Sequence, residues 1–198
     1  MKVIGLTGPS GSGKGWVCER LSLRGIPSVD TDAVYHSLLL PPSECLDELR
    51  TVFGNGIINN DGTLRRSELA KLVFSDKARL AQLNAVTHKY ILAQTDMLLA
   101  SLSERGCRAA VVDAPALFES GYDAKCDFVI AVVADRNVRM HRIMERDGLT
   151  ETAASLRIDG QQPDDFYTSR AKYTVHNDGN SAALETELDA ILAREKLC

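Results

Sequence analysis

The chain has 198 residues, 44% hydrophobic and 25% charged, proportions that suit one globular domain with a sizeable core. A net charge of −4 provides no general attraction to nucleic acid or an anionic membrane, and no apolar run approaches membrane-spanning length. The cysteines Cys18, Cys45, Cys107, Cys126 and Cys198 are odd in number and scattered without a Cys-x-x-Cys pair, and the histidines lack metal-ligand spacing. Reduced thiols in a cytoplasmic protein are therefore expected, rather than a disulfide framework or a zinc site.

In chain order, Val3–Leu6 is a short apolar run that predicts a strand. The helix predicted from near Gly13 carries Val17 and Leu21 and ends at Gly25. Ile26–Val29 leads into Asp30-Thr31-Asp32, read as extended, and Ala33–Leu40 is helix-like. After the turn signal Asn60-Asp61-Gly62-Thr63, the recurrence of Leu80, Leu83, Tyr90, Ile91, Met97 and Leu98 predicts a long helix stopping near Gly106. Ala109–Val112, Phe128–Val133 and Tyr173–Val175 are further strands, and Ser181 is expected to cap a helix with Leu184, Leu188, Ile191 and Leu192 on its apolar face. Continuous apolar strands alternating with helices predict an α/β fold with a parallel sheet covered on both faces. Ligands of such sheets bind beyond the carboxyl ends of the strands, where Gly8–Lys14, Asp30, Asp32 and Asp113 are expected to converge.

The most specific local pattern is Gly8-Pro9-Ser10-Gly11-Ser12-Gly13-Lys14, between a strand and a helix. A glycine-rich loop of this kind turns successive N–H groups inward around phosphate oxygens, and the helix N-terminus adds a favourable potential. Lys14 supplies a mobile cation. Gly15 stands where the pattern calls for a Mg²⁺-binding Ser or Thr, and Trp16 follows it as a packing residue rather than a base-stacking one. Asp32 is either the N-cap of the following helix or the carboxylate that accepts a proton from an alcohol in phosphoryl transfer. Asp113 ends an apolar strand, as an acidic residue assisting Mg²⁺ would, or serves as a strand-end turn residue. Arg139, Arg142 and Arg146 share one helix face, either as solvated surface or as a lid that brings guanidinium groups onto a transferring phosphate. A different small-molecule kinase and a non-catalytic nucleotide binder both remain open on these features.

Several longer segments resemble the dephospho-coenzyme A kinase family along almost the whole chain. They are Gly5-Leu6-Thr7-Gly8, Val29-Asp30-Thr31-Asp32 with Tyr35-His36, and Asp61-Gly62-Thr63-Leu64-Arg65-Arg66 with Phe74, Leu83-Asn84 and His88. Val112–Gly121 is the most specific, followed by Arg142, Arg146–Leu149, Arg157-Ile158, Gln161-x-Pro163 and Asn177. The resemblance implies a three-layer P-loop kinase fold, with a five-stranded parallel sheet, in a single domain over 1–198. A helical substrate-binding insertion would span about 33–107 and a helical lid about 136–172. It implies transfer of a phosphate from ATP to the ribose 3′-hydroxyl of dephospho-CoA, with Mg²⁺ as cofactor and no nucleic-acid or membrane partner. ATP would lie on Gly8, Gly11, Ser12, Gly13, Lys14, Gly15 and Trp16. Asp32, Lys14, Arg142 and Arg146 would be catalytic, Asp30, His36, Arg66 and His88 would hold the acceptor, and Asp113 would assist the metal, directly or through water. The chain departs from the family pattern at Pro9-Ser10, Gly15-Trp16, Lys89 and Tyr167.

Overall fold

A central strand, β1 (Lys2–Thr7), becomes fully buried from Ile4 onward and delivers the chain into the glycine-rich loop. The computed structural model describes residues 1–74 and 76–197, so Cys198 of the scattered thiols lies outside the described residues. Helix α1 (Lys14–Leu23) follows the loop, and β2 (Ser28–Asp30), α2 (Thr31–Leu38), α3 (Glu44–Phe53), α4 (Arg66–Phe74) and α5 (Lys77–Glu104) come next. Then come β3 (Ala109–Asp113), β4 (Phe128–Val133), α6 (Arg136–Asp147), α7 (Glu151–Asp159), α8 (Asp164–Thr168), β5 (Tyr173–His176) and α9 (Ser181–Arg194).

The strands form a five-stranded parallel sheet in the order β2-β3-β1-β4-β5. Leu6 pairs with Asp113 on one side of β1 and with Ile130 on the other. The chain builds outward from β1 first to one side and then to the other, so β1 marks the switch point at whose carboxyl end open α/β sheets bind ligands. One face of the sheet presents Ile4, Leu6, Ala109, Val111, Phe128, Ile130 and Val132 to α1 and α9, which contribute Val17, Leu21, Leu184, Leu188, Ile191 and Leu192. At Gly5, on the opposite face, an added Cβ would come within 2.8 Å of Leu117 and 3.1 Å of Cys126, so the backbone there is closely overlaid. Burial on both faces explains why β4 reads as an unbroken apolar run.

Two compact units are present: Met1–Val29 with the chain from Ser101 onward, and Asp30–Ala100. The second has its own core, in which Cys45, Leu49 and Phe53 of α3 meet Ile57, Leu69, Val73 and Val86. Ser43 caps α3 by accepting from the Leu46 N–H at 3.2 Å. The long helix is present, but its buried line is Val86, Thr87, Thr95 and Leu99, whereas Leu80, Met97 and Leu98 are exposed. Spacing located the helix; the elements packed on it chose which stripe is covered.

At α2 the structure decides between two open readings, and at α9 the cap differs from expectation. Asp30, not Asp32, caps α2, its Oδ1 accepting from the N–H groups of Asp32 (2.8 Å) and Ala33 (3.1 Å). The helix starts early enough to take in Asp32, so Asp30 and Asp32 do not share one extended segment. Asn180 caps α9 through its side-chain oxygen and the Ala183 N–H (3.1 Å), which places Ser181 inside the helix.

Candidate active site

The phosphate loop gets its shape from close approaches that only glycine permits. Gly8 has φ +143°, and a Cβ there would lie 2.1 Å from the Val132 carbonyl oxygen of β4. A Cβ on Gly13, at φ +94°, would lie 2.0 Å from Asn177 Nδ2 just beyond β5. Ser12 is fully buried between them, and its Oγ has no hydrogen-bond partner among the described residues. Lys14 Nζ donates to the Gly8 carbonyl at 3.0 Å, which holds the cation over the loop. The first turn of α1 contains no acidic residue, so the positive end of the helix is not neutralised by its own side chains.

All three arginines of α6 donate to this loop, Arg139 from a buried position and Arg146 from an exposed one. Arg139 is only 5% exposed; its Nε donates to the Ser10 carbonyl (3.0 Å) and its two terminal nitrogens to Asp164 (3.2 Å) and Gln161 (3.0 Å). Burial lowers its pKa, with the Asp164 carboxylate opposing that shift. Arg142 reaches the carbonyls of Gly11 (3.2 Å) and Ser12 (3.4 Å) and Asn177 Oδ1 (3.3 Å). Arg146 donates to the Ser10 hydroxyl (3.4 Å) and to Asp147, whose carboxyl is held below its ordinary range by that guanidinium. Helices α6 and α7 form a hairpin with a small core of Ile143, Ala154 and Ile158, which carries these arginines as a group. Tyr167 is buried, and burial raises its phenol pKa.

Asp113 ends β3 beside β1, two residues before the loop in the paired strand. The Cys18 thiol donates to its Oδ2 at 3.6 Å, and burial followed by the Asp113 charge pushes that thiol up to about 12. Cys18 is therefore a neutral donor, not a nucleophile. Asp113 is a hard oxygen donor of the kind Mg²⁺ prefers, while Gly15 offers no side-chain oxygen. Among the described residues there is no group of three or more His, Cys, Asp or Glu that would hold a metal by itself. That donor set suits an ion held largely by phosphate and water oxygens.

In the second unit the structure brings His36 and Arg66 together, with both guanidinium nitrogens of Arg66 3.2–3.3 Å from His36 Nδ1. Because guanidinium only donates, His36 Nδ1 is placed to accept from Arg66. His88 is partly buried on α5, and Asp32 is exposed in the first turn of α2. Trp16 packs against the sheet core, with the Arg20 guanidinium 4.9 Å from its ring.

Gln161 and Asn177 are the site residues whose role spacing did not disclose. Gln161 Oε1 accepts from the Ser10 N–H (3.1 Å), and Asn177 Nδ2 donates to the Ser12 carbonyl (2.9 Å). Each lies in a connection without periodicity, and only the fold brings it to the loop.

The chain is similar to known proteins along nearly its whole length. The dephospho-CoA kinase family model matches residues 2–183. A dephospho-CoA kinase of Corynebacterium glutamicum is 38% identical over 96% of this chain and 95% of its own length. One from Syntrophotalea carbinolica is 36% identical over 98% and 92%. The crystal structure of TT1252 from Thermus thermophilus superimposes with a TM-score of 0.81 at 32% identity, covering 98% of this chain and 97% of the other. With a phosphate loop, a loop-facing arginine helix and matches that run nearly end to end, the chain belongs to the dephospho-CoA kinase family.

Proposed function

We propose that the protein transfers the γ-phosphate of ATP to the ribose 3′-hydroxyl of dephospho-CoA, releasing CoA and ADP. The observation that carries the reading is the glycine-shaped loop gripped by Arg139, Arg142 and Asn177, in a chain that belongs to this family. Asp32 takes the proton of the 3′-hydroxyl as its oxygen forms a bond to the γ-phosphorus and the bond to the β–γ bridging oxygen breaks. Lys14, Arg142 and Arg146 offset the charge on the transferring group, and the amides of Gly8 and Gly11–Trp16 hold the remaining phosphates. Asp30, His36, Arg66 and His88 serve the acceptor from the helical insertion near 33–107, and the segment near 136–172 acts as the lid. Asp113 would hold Mg²⁺, directly or through water, and the ion would neutralise phosphate charge.

Among the described residues no helix is long and apolar enough to cross a membrane. The free thiols of Cys18, Cys45, Cys107 and Cys126 support a cytoplasmic enzyme. A coupled ADP-release assay over dephospho-CoA, AMP, UMP and shikimate tests the assignment. Turnover with dephospho-CoA at least a hundredfold above the others is expected, on the order of the discrimination that a few satisfied polar contacts provide. Equal or greater turnover with another acceptor would reassign the substrate, and ATP binding without turnover would leave a nucleotide-binding protein.

A further inference from the structure

We infer that Gln161 is a positioning residue of the phosphate loop: with Arg139 it holds both main-chain groups of Ser10 and thereby sets the loop's grip on ATP. The inference rests on the kinase reading above and adds a residue to it.

One amide oxygen, Gln161 Oε1, accepts at once from the Ser10 N–H (3.1 Å) and from the terminal nitrogen of Arg139 (3.0 Å). The Arg139 Nε donates to the Ser10 carbonyl (3.0 Å), which closes a ring of three hydrogen bonds around one residue. Arg139 is 5% exposed, so a donor that loses its acceptor there is not compensated by bulk water.

The same pattern continues along the loop, where Arg142 holds the Gly11 and Ser12 carbonyls and Asn177 holds Ser12. In a planar trans peptide the N–H points opposite to the carbonyl. Drawing the carbonyls of residues 10, 11 and 12 toward α6 and Asn177 therefore aims the following amides the other way. The concavity is thus shaped from outside by side chains, and Gln161, like Asn177, takes part without a charge. Its hydrogen bond to the loop comes from the Ser10 backbone N–H, so the grip needs an N–H at position 10 rather than the serine hydroxyl.

The test compares Gln161→Leu, which removes the acceptor at similar volume, with Gln161→Glu, which keeps it. The measurements are amide hydrogen exchange at Ser10 without nucleotide and the Kd values of ATP and of dephospho-CoA by calorimetry. Gln161→Leu is expected to speed Ser10 exchange and to raise the ATP Kd roughly tenfold, the scale of one hydrogen bond to a charged group. It should leave the dephospho-CoA Kd within about twofold, because this interaction serves only the phosphate loop. Gln161→Glu is expected to retain the slow Ser10 exchange. Unchanged Ser10 exchange or an unchanged ATP Kd in Gln161→Leu would overturn the inference. So would a parallel loss of both affinities with the thermal midpoint, or a Gln161→Glu protein exchanging as fast as Gln161→Leu. Wild-type protein that failed to bind ATP would overturn the kinase reading itself, a result separate from these.

Discussion

Position 15 is a residue at which the loop pattern and the structure can be separated. An added Cβ would meet nothing within 4 Å, so Gly15→Ser introduces a hydroxyl without a clash. Serine is also the better helix former by about 0.5 kcal/mol, so the variant should be no less stable than the parent. The half-saturating Mg²⁺ concentration is expected to fall about threefold in a magnesium titration, as one hard oxygen is added near the ion. An unchanged titration would mean that the remaining ligands already suffice. At position 32 the structure removes one of two alternatives: Asp30 is the cap, so Asp32 is not needed to start α2. Asp32→Asn is expected to lower kcat by ~10²–10⁴-fold, the range of a general base. The ATP Kd, followed by the fluorescence of Trp16 (the chain's single tryptophan), should stay within a few-fold. Asp30→Ala is expected instead to cost about 1 kcal/mol of stability, the usual value of a cap. Were Asp32→Asn to reduce stability and leave kcat intact, its place as the base would be lost.

Among the elements, α6 shows what spacing reveals and what it omits. The offsets from Arg139 to Arg142 and Arg146 place all three on one side of a helix, and that much was legible. Which side faces the loop is set in three dimensions, where the neighbouring Ile143 packs with Ala154 and Ile158 of α7. Arg139 is therefore buried as a loop anchor, whereas Arg146 stays at the surface. Helix ends were less legible, because Asp30-Thr31-Asp32 and Asn180-Ser181 each contain nearby residues able to cap, and a difference of one or two residues in where the helix starts selects between them. For α9 this gives a clean comparison. Asn180→Ala should lower stability by about 1 kcal/mol, or about 3 °C in Tm for a protein of this size. Ser181→Ala, inside the helix, should be within about 0.5 kcal/mol of the parent. Equal losses in thermal unfolding would return the cap to Ser181.

For the whole molecule, Glu195 joins the two ends of the sequence. Its buried carboxylate accepts from Lys2 (3.0 Å), Lys172 (2.6 Å) and Tyr173 (2.7 Å), so β1, β5 and the end of α9 are tied together. Chiefly the Lys172 hydrogen bond holds the carboxyl down to about 2, against an ordinary 4.5. This contribution to stability is complete above the ordinary value and is lost as pH falls through the folded value. Because both lysines are partly exposed, Glu195→Gln should cost only about 1–2 kcal/mol at neutral pH. The gap between parent and variant in urea unfolding should narrow as pH falls from about 5 toward 2. A gap independent of pH would show that packing, not charge, accounts for the loss. Sequence alone determined the parallel α/β architecture, the phosphate loop and the family, because unbroken apolar runs, a strand-loop-helix glycine pattern and long linear motifs are local properties of the chain. The tertiary structure alone decided which carboxylate caps α2, which arginine is buried against the loop, and that Gln161 and Asn177 hydrogen-bond to the loop backbone. Those outcomes depend on which residues distant in the chain meet, and a hydrogen bond across more than a hundred residues leaves no periodicity to read.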